Sequence, residues 1–183
     1  MGKIRVSPLN YSIHYLSYRP RSVAEVVFAL QKKKYEQAEI EETIALLLEK
    51  GFLNDESFTE SWIHYRKTQS VRSRSFVRQE LSAKGVPHSV IEKGLACYYS
   101  SQEEKEILGT LIKKQWQNLC GKLSISGCSL GEEIDDEANE EAMNKIYEKL
   151  LRKYVGKGFS PYLVREVLDE VKCLFYLDIE SFG

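Results

Sequence analysis

The sequence predicts an all-α protein made of three tandem three-helix repeats. Apolar residues recur at helical spacing almost throughout, helix-start signals recur between the apolar stripes, and the chain repeats itself. Ile40, Ile44, Leu47 and Leu48 fall at i, i+4, i+7 and i+8; Val164, Val167, Leu168 and Val171 fall at i, i+3, i+4 and i+7. Either set lies on one face of a 3.6-residue helix. Laid on itself, the chain aligns on Lys33-Lys34-Tyr35, Lys84-Gly85-Val86 and Lys157-Gly158-Phe159. Around the last residue of each tripeptide, four further apolar positions match: Val26, Val77, Leu150; Leu30, Leu81, Tyr154; Ile40, Ile91, Val164; and Ile44, Leu95, Leu168. Two amphipathic helices joined by a tight turn are thus expected three times over. Any two amphipathic helices can be aligned on their stripes; the shared turn between them argues for a true repeat.

The first helix is expected over 8–18, with Ser7 as its cap and Pro8 at a position that needs no N–H donor. Pro20 separates it from a second helix, which opens with the capping box Ser22-Val23-Ala24-Glu25. A third follows the turn, and together they make a repeat over 8–55. The second repeat, 56–100, opens at 56–68 behind Asn54 or Asp55 as cap. The third, 101–180, opens at 102–119; Gly158 is expected to end a helix in the left-handed conformation, and Ser160-Pro161 to start the last one. Three short helices can close a core that one of them cannot bury. Anchor spacings of 51 and then 73 residues put an insertion of about 22 residues in the third repeat, near 120–141. Its turn residues and its run Glu132-Glu133-Ile134-Asp135-Asp136-Glu137 predict a mobile acidic surface loop over 132–141, whose spacing does not fit a calcium loop.

Composition excludes several function classes. The 183 residues are 43% hydrophobic and 29% charged, a mixture for a folded chain. With 26 basic and 27 acidic residues, a uniformly basic DNA-coating protein is excluded, and any nucleic-acid surface must come from local segregation of charge. No apolar run approaches the ~20 residues of a membrane span, and the first residues lack the apolar stretch of a secretory signal. Cys97, Cys120, Cys128 and Cys173 form no CxxC pair and have no histidine at metal-ligand spacing, which predicts reduced thiols and no metal. His14, His64 and His88 have no neighbour to orient them as bases. Gly156-Lys157-Gly158 follows a helical pattern and is too short for a phosphate loop; no nucleophile elbow or HExxH is present. A non-enzyme without cofactor or catalytic residue is expected.

Charge is sorted along the chain. Residues 1–35 carry +6, 36–60 carry −7, 61–93 carry +5, 132–141 carry −7 and 142–165 carry +5. If the repeats stack with a constant rotation, their basic helices form one positive stripe that attracts phosphate. The alternative is solvated helix faces with intramolecular pairing of opposite blocks. The segment from Trp62 to Arg78 holds five bases, no acid and interleaved aromatics. Trp62 and Phe76 are expected in the core, with Arg66, Arg72, Arg74 and Arg78 as candidates for phosphate.

The run Tyr15-Leu16-Ser17-Tyr18-Arg19-Pro20-Arg21-Ser22 with Glu25, the run from Leu46 to Trp62, and Arg66 followed by Arg78-Gln79-Glu80-Leu81-Ser82-Ala83-Lys84-Gly85-Val86 resemble the motifs of the RecX family of recombination regulators. They cover about residues 14–95. The C-terminal half matches mainly in its three-helix pattern and departs through the acidic insertion. The resemblance implies a cytoplasmic bacterial protein of tandem three-helix units in an elongated, curved arrangement. It implies binding to the RecA recombinase, above all its filament on single-stranded DNA, and damping of its ATPase and strand exchange in recombination and DNA repair. A monomer without a membrane is expected, able to use many weak contacts along the filament. Candidate contacts carried over from the signature are Arg19, Arg21, Arg66, Arg72, Arg74, Arg78 and Lys84; Lys149, Arg152, Lys153 and Lys157 are added from the charge pattern alone. A helix-turn-helix-like protein for duplex DNA and a helical-repeat scaffold for another protein are the competing readings.

Overall fold

The computed structural model describes residues 6–122 and 136–180. Among them are nine α-helices and no strand. The first three are α1 (Pro8–Ser17), α2 (Val23–Lys32) and α3 (Gln37–Glu49). Then come α4 (Asp55–Thr68), α5 (Arg74–Ala83) and α6 (His88–Tyr98), and finally α7 (Ser101–Lys122), α8 (Asp136–Val155) and α9 (Pro161–Glu180). This is the all-α repeat fold expected from the periodicity.

Local chemistry sets the helix starts. Ser7 Oγ accepts from the Asn10 N–H at 3.3 Å, and Asn54 Oδ1 accepts from Glu56 and Ser57 at 2.8 and 3.0 Å. The Ser22–Glu25 capping box is complete, with reciprocal bonds of 3.1 and 3.2 Å. Ser160 Oγ takes the Leu163 N–H at 3.1 Å. Each of these bonds satisfies a donor that the helix itself leaves unpaired.

The turn is the same in all three repeats. Tyr35, Val86 and Phe159 donate their N–H to Leu30, Leu81 and Tyr154, five residues back. Lys34, Gly85 and Gly158 donate three residues back, to Gln31, Ser82 and Val155. That pair of bonds is the Schellman closure, which needs a left-handed residue just past the helix end. Lys34, Gly85 and Gly158 supply it with φ of 60°, 73° and 91°. The apolar positions on both sides are buried in the second and third copies; in the first, Tyr35 and Ile44 are half-buried.

The chain divides into two compact units, Met1–Ser70 with Val77–Tyr99, and Val71–Phe76 with Ser100–Gly183. In the first unit, Val26, Leu30, Ile40, Leu47 and Leu53 form a core covered by Leu9, Tyr11, Tyr15 and Leu16. Ile63, Val77, Leu81, Ile91, Leu95 and Tyr99 are buried within the second helix triple of the same unit. The two triples are joined at the start of α2. Ser22 Oγ donates to the Lys84 carbonyl at 2.6 Å, Asp55 Oδ1 accepts from the Val23 N–H at 2.9 Å, and a Cβ at Gly85 would run into Ala24 Cβ.

The second unit has longer helices and a larger core. Leu108, Ile112, Trp116 and Cys120 on α7 meet Met143, Ile146, Leu150 and Tyr154 on α8 and Val164, Val167, Leu168 and Val171 on α9. The segment 71–76 belongs to this unit: Val71 enters the core, Ser73 N–H donates to the Lys157 carbonyl at 3.4 Å, and Ser75 Oγ to the Gly158 carbonyl at 3.1 Å. This six-residue strap, inside the second sequence repeat, thus groups with the third helix triple. The acidic stretch also differs from expectation. Residues 136–141, read from sequence as loop, open α8, and Glu141 pairs with Lys145 one turn on at 2.7 Å. Carboxylates in a first helical turn are favoured by the helix dipole, so an acidic run reads equally as a helix start. The remainder of that insertion, 123–135, lies outside the described residues.

Candidate nucleic-acid interface

Four of the five signature cations of the first unit are built into the fold by carboxylates. Arg66, on α4, holds Glu80 of α5 through two bonds, Nη2 to Oε1 at 2.6 Å and Nε to Oε2 at 2.8 Å. Trp62 Nε1 donates to the same Oε2 at 3.0 Å, and the guanidinium lies 5.1 Å from the indole centroid. Arg78 grips Glu92 in the same two-pronged manner at 2.6 and 3.0 Å. Arg19 holds Glu25 at 2.8 Å, and Lys84 reaches the same carboxylate at 3.5 Å while covering the Trp62 ring at 4.3 Å. Burial pushes the Glu25 carboxyl up, but Arg19, the Ser22 N–H and Lys84 outweigh it and hold it below the ordinary value. These four cations are paired with the few carboxylates of the basic segments themselves, Glu25, Glu80 and Glu92, so they form neither an open positive stripe nor the pairing of opposite blocks.

Arg21 is half-buried, its guanidinium 4.1 Å from the Tyr15 centroid. Between α2, α4 and α5 runs a cleft of about 780 Å³ lined by Ala24, Glu25, Phe28, Trp62, Lys84 and Gly85 among others. Trp62 is half-buried rather than in the core, because its N–H must reach Glu80. Phe28 is 68% exposed. It lies within Val26-Val27-Phe28-Ala29-Leu30, an apolar run wider than one helix face; that excess width was the sequence signal for an apolar side chain left outside the core.

The second unit treats its cations differently. Arg74 donates through Nη1 to Ser101 Oγ at 2.6 Å, and its backbone N–H goes to Glu104 at 2.8 Å. The Arg72 guanidinium lies over the Phe76 ring at 4.7 Å, and Phe76 is half-buried. At the far end of α8, Lys149, Arg152 and Lys153 are exposed, and Lys157 follows in the turn. Lys153 has a neutral partner, Gln115 Oε1 at 2.7 Å, and Arg152 Nε donates to the Glu148 carbonyl at 3.2 Å. Lys153 and Lys157 sit 5.8 and 5.9 Å from the centroid of the buried Tyr154, whose hydroxyl burial pushes up to about 12. Burial, then Lys153 and Arg72, hold the Lys157 ammonium below its ordinary pKa. Elsewhere in the unit, Lys105 bridges Glu166 and Glu170 at 2.7 and 2.8 Å and is held above the usual lysine value.

The remaining chemistry is sparse. Cys97 and Cys173 are exposed free thiols and Cys120 is a buried one, raised by burial; Cys128 lies outside the described residues. Among the described residues no group of three His, Cys, Asp or Glu is placed to hold a metal ion, and no helix is long and apolar enough to cross a membrane.

Comparison with known proteins gives these helices a family. The description "RecX, first three-helix domain" matches residues 9–47, and "RecX, second three-helix domain" matches residues 54–95. A curated relative from Halalkalibacterium halodurans, named Regulatory protein RecX, is 31% identical over 169 residues, covering 81% of this chain and 64% of the relative. One of the same name from Oceanobacillus iheyensis is 36% identical over 156 residues, covering 85% of this chain and 52% of the relative. The chain thus spans between about half and two thirds of the length of these curated relatives. A solved structure of RecX from Lactobacillus salivarius shares the fold with a TM-score of 0.66 at 23% identity, covering 91% of this chain and 95% of that one. The two matched three-helix domains, back to back and in order, place the chain in the RecX family.

Proposed function

We propose that this protein binds the RecA recombinase filament on single-stranded DNA and modulates it, mainly by inhibiting ATP hydrolysis and strand exchange in recombination and DNA repair. The observation that carries the reading is the run of two RecX domains along residues 9–95, together with relatives named as regulatory proteins. It acts as a non-enzymatic, cytoplasmic monomer whose repeats each supply a few weak contacts, so that affinity comes from their number. The carboxylate-held arginines of the first unit keep its helices in register and expose a fixed surface to the recombinase. The cations of the second unit meet the polyanion.

The test is recombinase-driven ATP hydrolysis on single-stranded DNA, with this protein added below one copy per recombinase subunit at low salt. Loss of hydrolysis is expected. If equimolar protein leaves the rate unchanged, the reading is overturned.

A further inference from the structure

We propose that the C-terminal end of α8, with the turn that follows it, is a phosphate site for single-stranded nucleic acid, in which Lys153 and Lys157 each meet a backbone phosphate and Lys149 extends the track. This rests on the filament reading in placing nucleic acid nearby, but it assigns the contact to one corner of the second unit.

Charge balance is the first reason. Among the described residues no carboxylate lies within ion-pair distance of Lys149, Arg152, Lys153 or Lys157. A helix C-terminus carries a partial charge of about −0.5, so one cation satisfies it. Four cations in nine residues leave a large excess. Glu148, beside Lys149 and one turn before Arg152, offsets one of the four and leaves +3 over 148–157; the acids that open α8 add little there, Glu140 standing thirteen residues before Lys153, about 20 Å along the helix axis, beyond the ~8–10 Å screening length of salt solution.

Enforced proximity is the second reason. The backbone from which Lys157 projects is fixed. Its carbonyl takes the Ser73 N–H, its neighbour Gly158 takes the Ser75 hydroxyl, and a Cβ at Gly158 would lie 2.7 Å from Ser73 Oγ and 2.8 Å from Phe76 Cβ. The strap that fixes the turn also carries Arg72, which acts on the Lys157 ammonium electrostatically, as Lys153 does. The fold holds like charges together here, and an anion would relieve that cost.

The chemistry favours phosphate over an acidic protein. Lysines dominate the corner, and a lysine meets a phosphate as a point charge, without the fork geometry by which Arg66 and Arg78 hold carboxylates. Lys149 and Lys153, four apart, are spaced about 6 Å on one helix face. The described surroundings are Gln115 and the serines and arginines of the strap; the exposed apolar side chains near the turn are Val155 and Tyr162, too few for the apolar core of a protein interface.

The experiment titrates the full chain against a 5′-fluorescein-labelled 25-nucleotide oligothymidylate by anisotropy at several salt concentrations. Lys153→Gln/Lys157→Gln is expected to lower the slope of log affinity against log salt by about 1.4 and to raise Kd about tenfold at low salt. An unchanged slope overturns the proposal, as does a wild-type chain that does not bind the oligonucleotide. A variant that keeps its slope yet loses its effect on recombinase ATPase also overturns it, since the lysines would then contact protein. Should the wild type leave the ATPase untouched while the variant still loses slope, the site stands and the filament reading falls. A readout on the unmutated protein guards against misfolding of the variant: the oligonucleotide should slow amine acylation of Lys153 and Lys157 several-fold and leave Lys93, paired with Glu56, unaffected. Equal protection of all three lysines, or none, overturns the proposal.

Discussion

The two units share a backbone and differ in how they treat charge. Each copy closes its helix pair with the same two turn bonds and the same left-handed residue. In the first unit, Arg19, Arg66, Arg78 and Lys84 then meet Glu25, Glu80 and Glu92. In the second, the equivalent basic end of α8 meets a neutral glutamine and other cations. A repeated fold therefore does not carry a repeated electrostatic role. In the first unit these cations lock helices together; at the end of α8 no carboxylate among the described residues holds Lys149, Lys153 or Lys157, although Lys105 of the same unit clamps α7 to α9 through Glu166 and Glu170.

Breaking the Arg66 clamp is the largest test of that contrast. Glu80→Ala strands a guanidinium that is only 15% exposed and removes the acceptor of the Trp62 N–H. It should lower stability by about 3 kcal/mol in urea unfolding, whereas Lys153→Gln/Lys157→Gln should lower it hardly at all. A comparable loss in both variants would erase the distinction.

Acid should separate the units next. Glu25 is held below its ordinary value of 4.5, so its stabilisation is complete above that pH and disappears as pH falls through the lower folded value. Glu25→Gln is expected to cost about 1 kcal/mol at neutral pH, with the difference shrinking below pH 4.5. A penalty that persists at pH 2 would mean that Glu25 acts through packing rather than charge.

Lys157 should behave in the opposite way. Its folded value lies below the ordinary 10.5, so the charged form strains the fold and stability rises with pH until the unfolded ammonium has also lost its proton. Lys157→Gln should gain about 0.3 kcal/mol near neutrality, a gain that fades above pH 10.5 in thermal unfolding. A destabilised variant would mean that Lys157 is structural, like the clamped residues of the first unit.

The smallest test addresses the shared backbone. Lys34 holds φ of 60° where the other two copies have glycine. A left-handed non-glycine residue costs about 1 kcal/mol, partly offset by the entropy that glycine loses on folding. Lys34→Gly should therefore shift the unfolding midpoint slightly upward. A drop would show that the lysine side chain contributes more there than the turn geometry does.

Local rules made most of the fold readable. Ser7, Ser22, Asn54 and Ser160 start helices because their oxygens satisfy nearby N–H groups, and Gly85 and Gly158 end them because their φ is positive. Both effects act over three or four residues, so a linear sequence contains them. The basic character of the candidate interface was likewise visible in the segment charges. Which cations are spent inside the fold was not. Arg66 and Glu80 are fourteen residues apart on different helices, as are Arg78 and Glu92, and Lys84 and Glu25 are fifty-nine apart. The strap over 71–76 leaves its own repeat for the same kind of reason, Val71 gaining a core that only α7, α8 and α9 together provide. Ion pairing and apolar burial fall off within a few ångströms of space, whatever the separation along the chain. Helix identity and turn shape were thus set by neighbours in sequence, and the division of cations into those held by carboxylates and those that are not only by neighbours in the folded molecule.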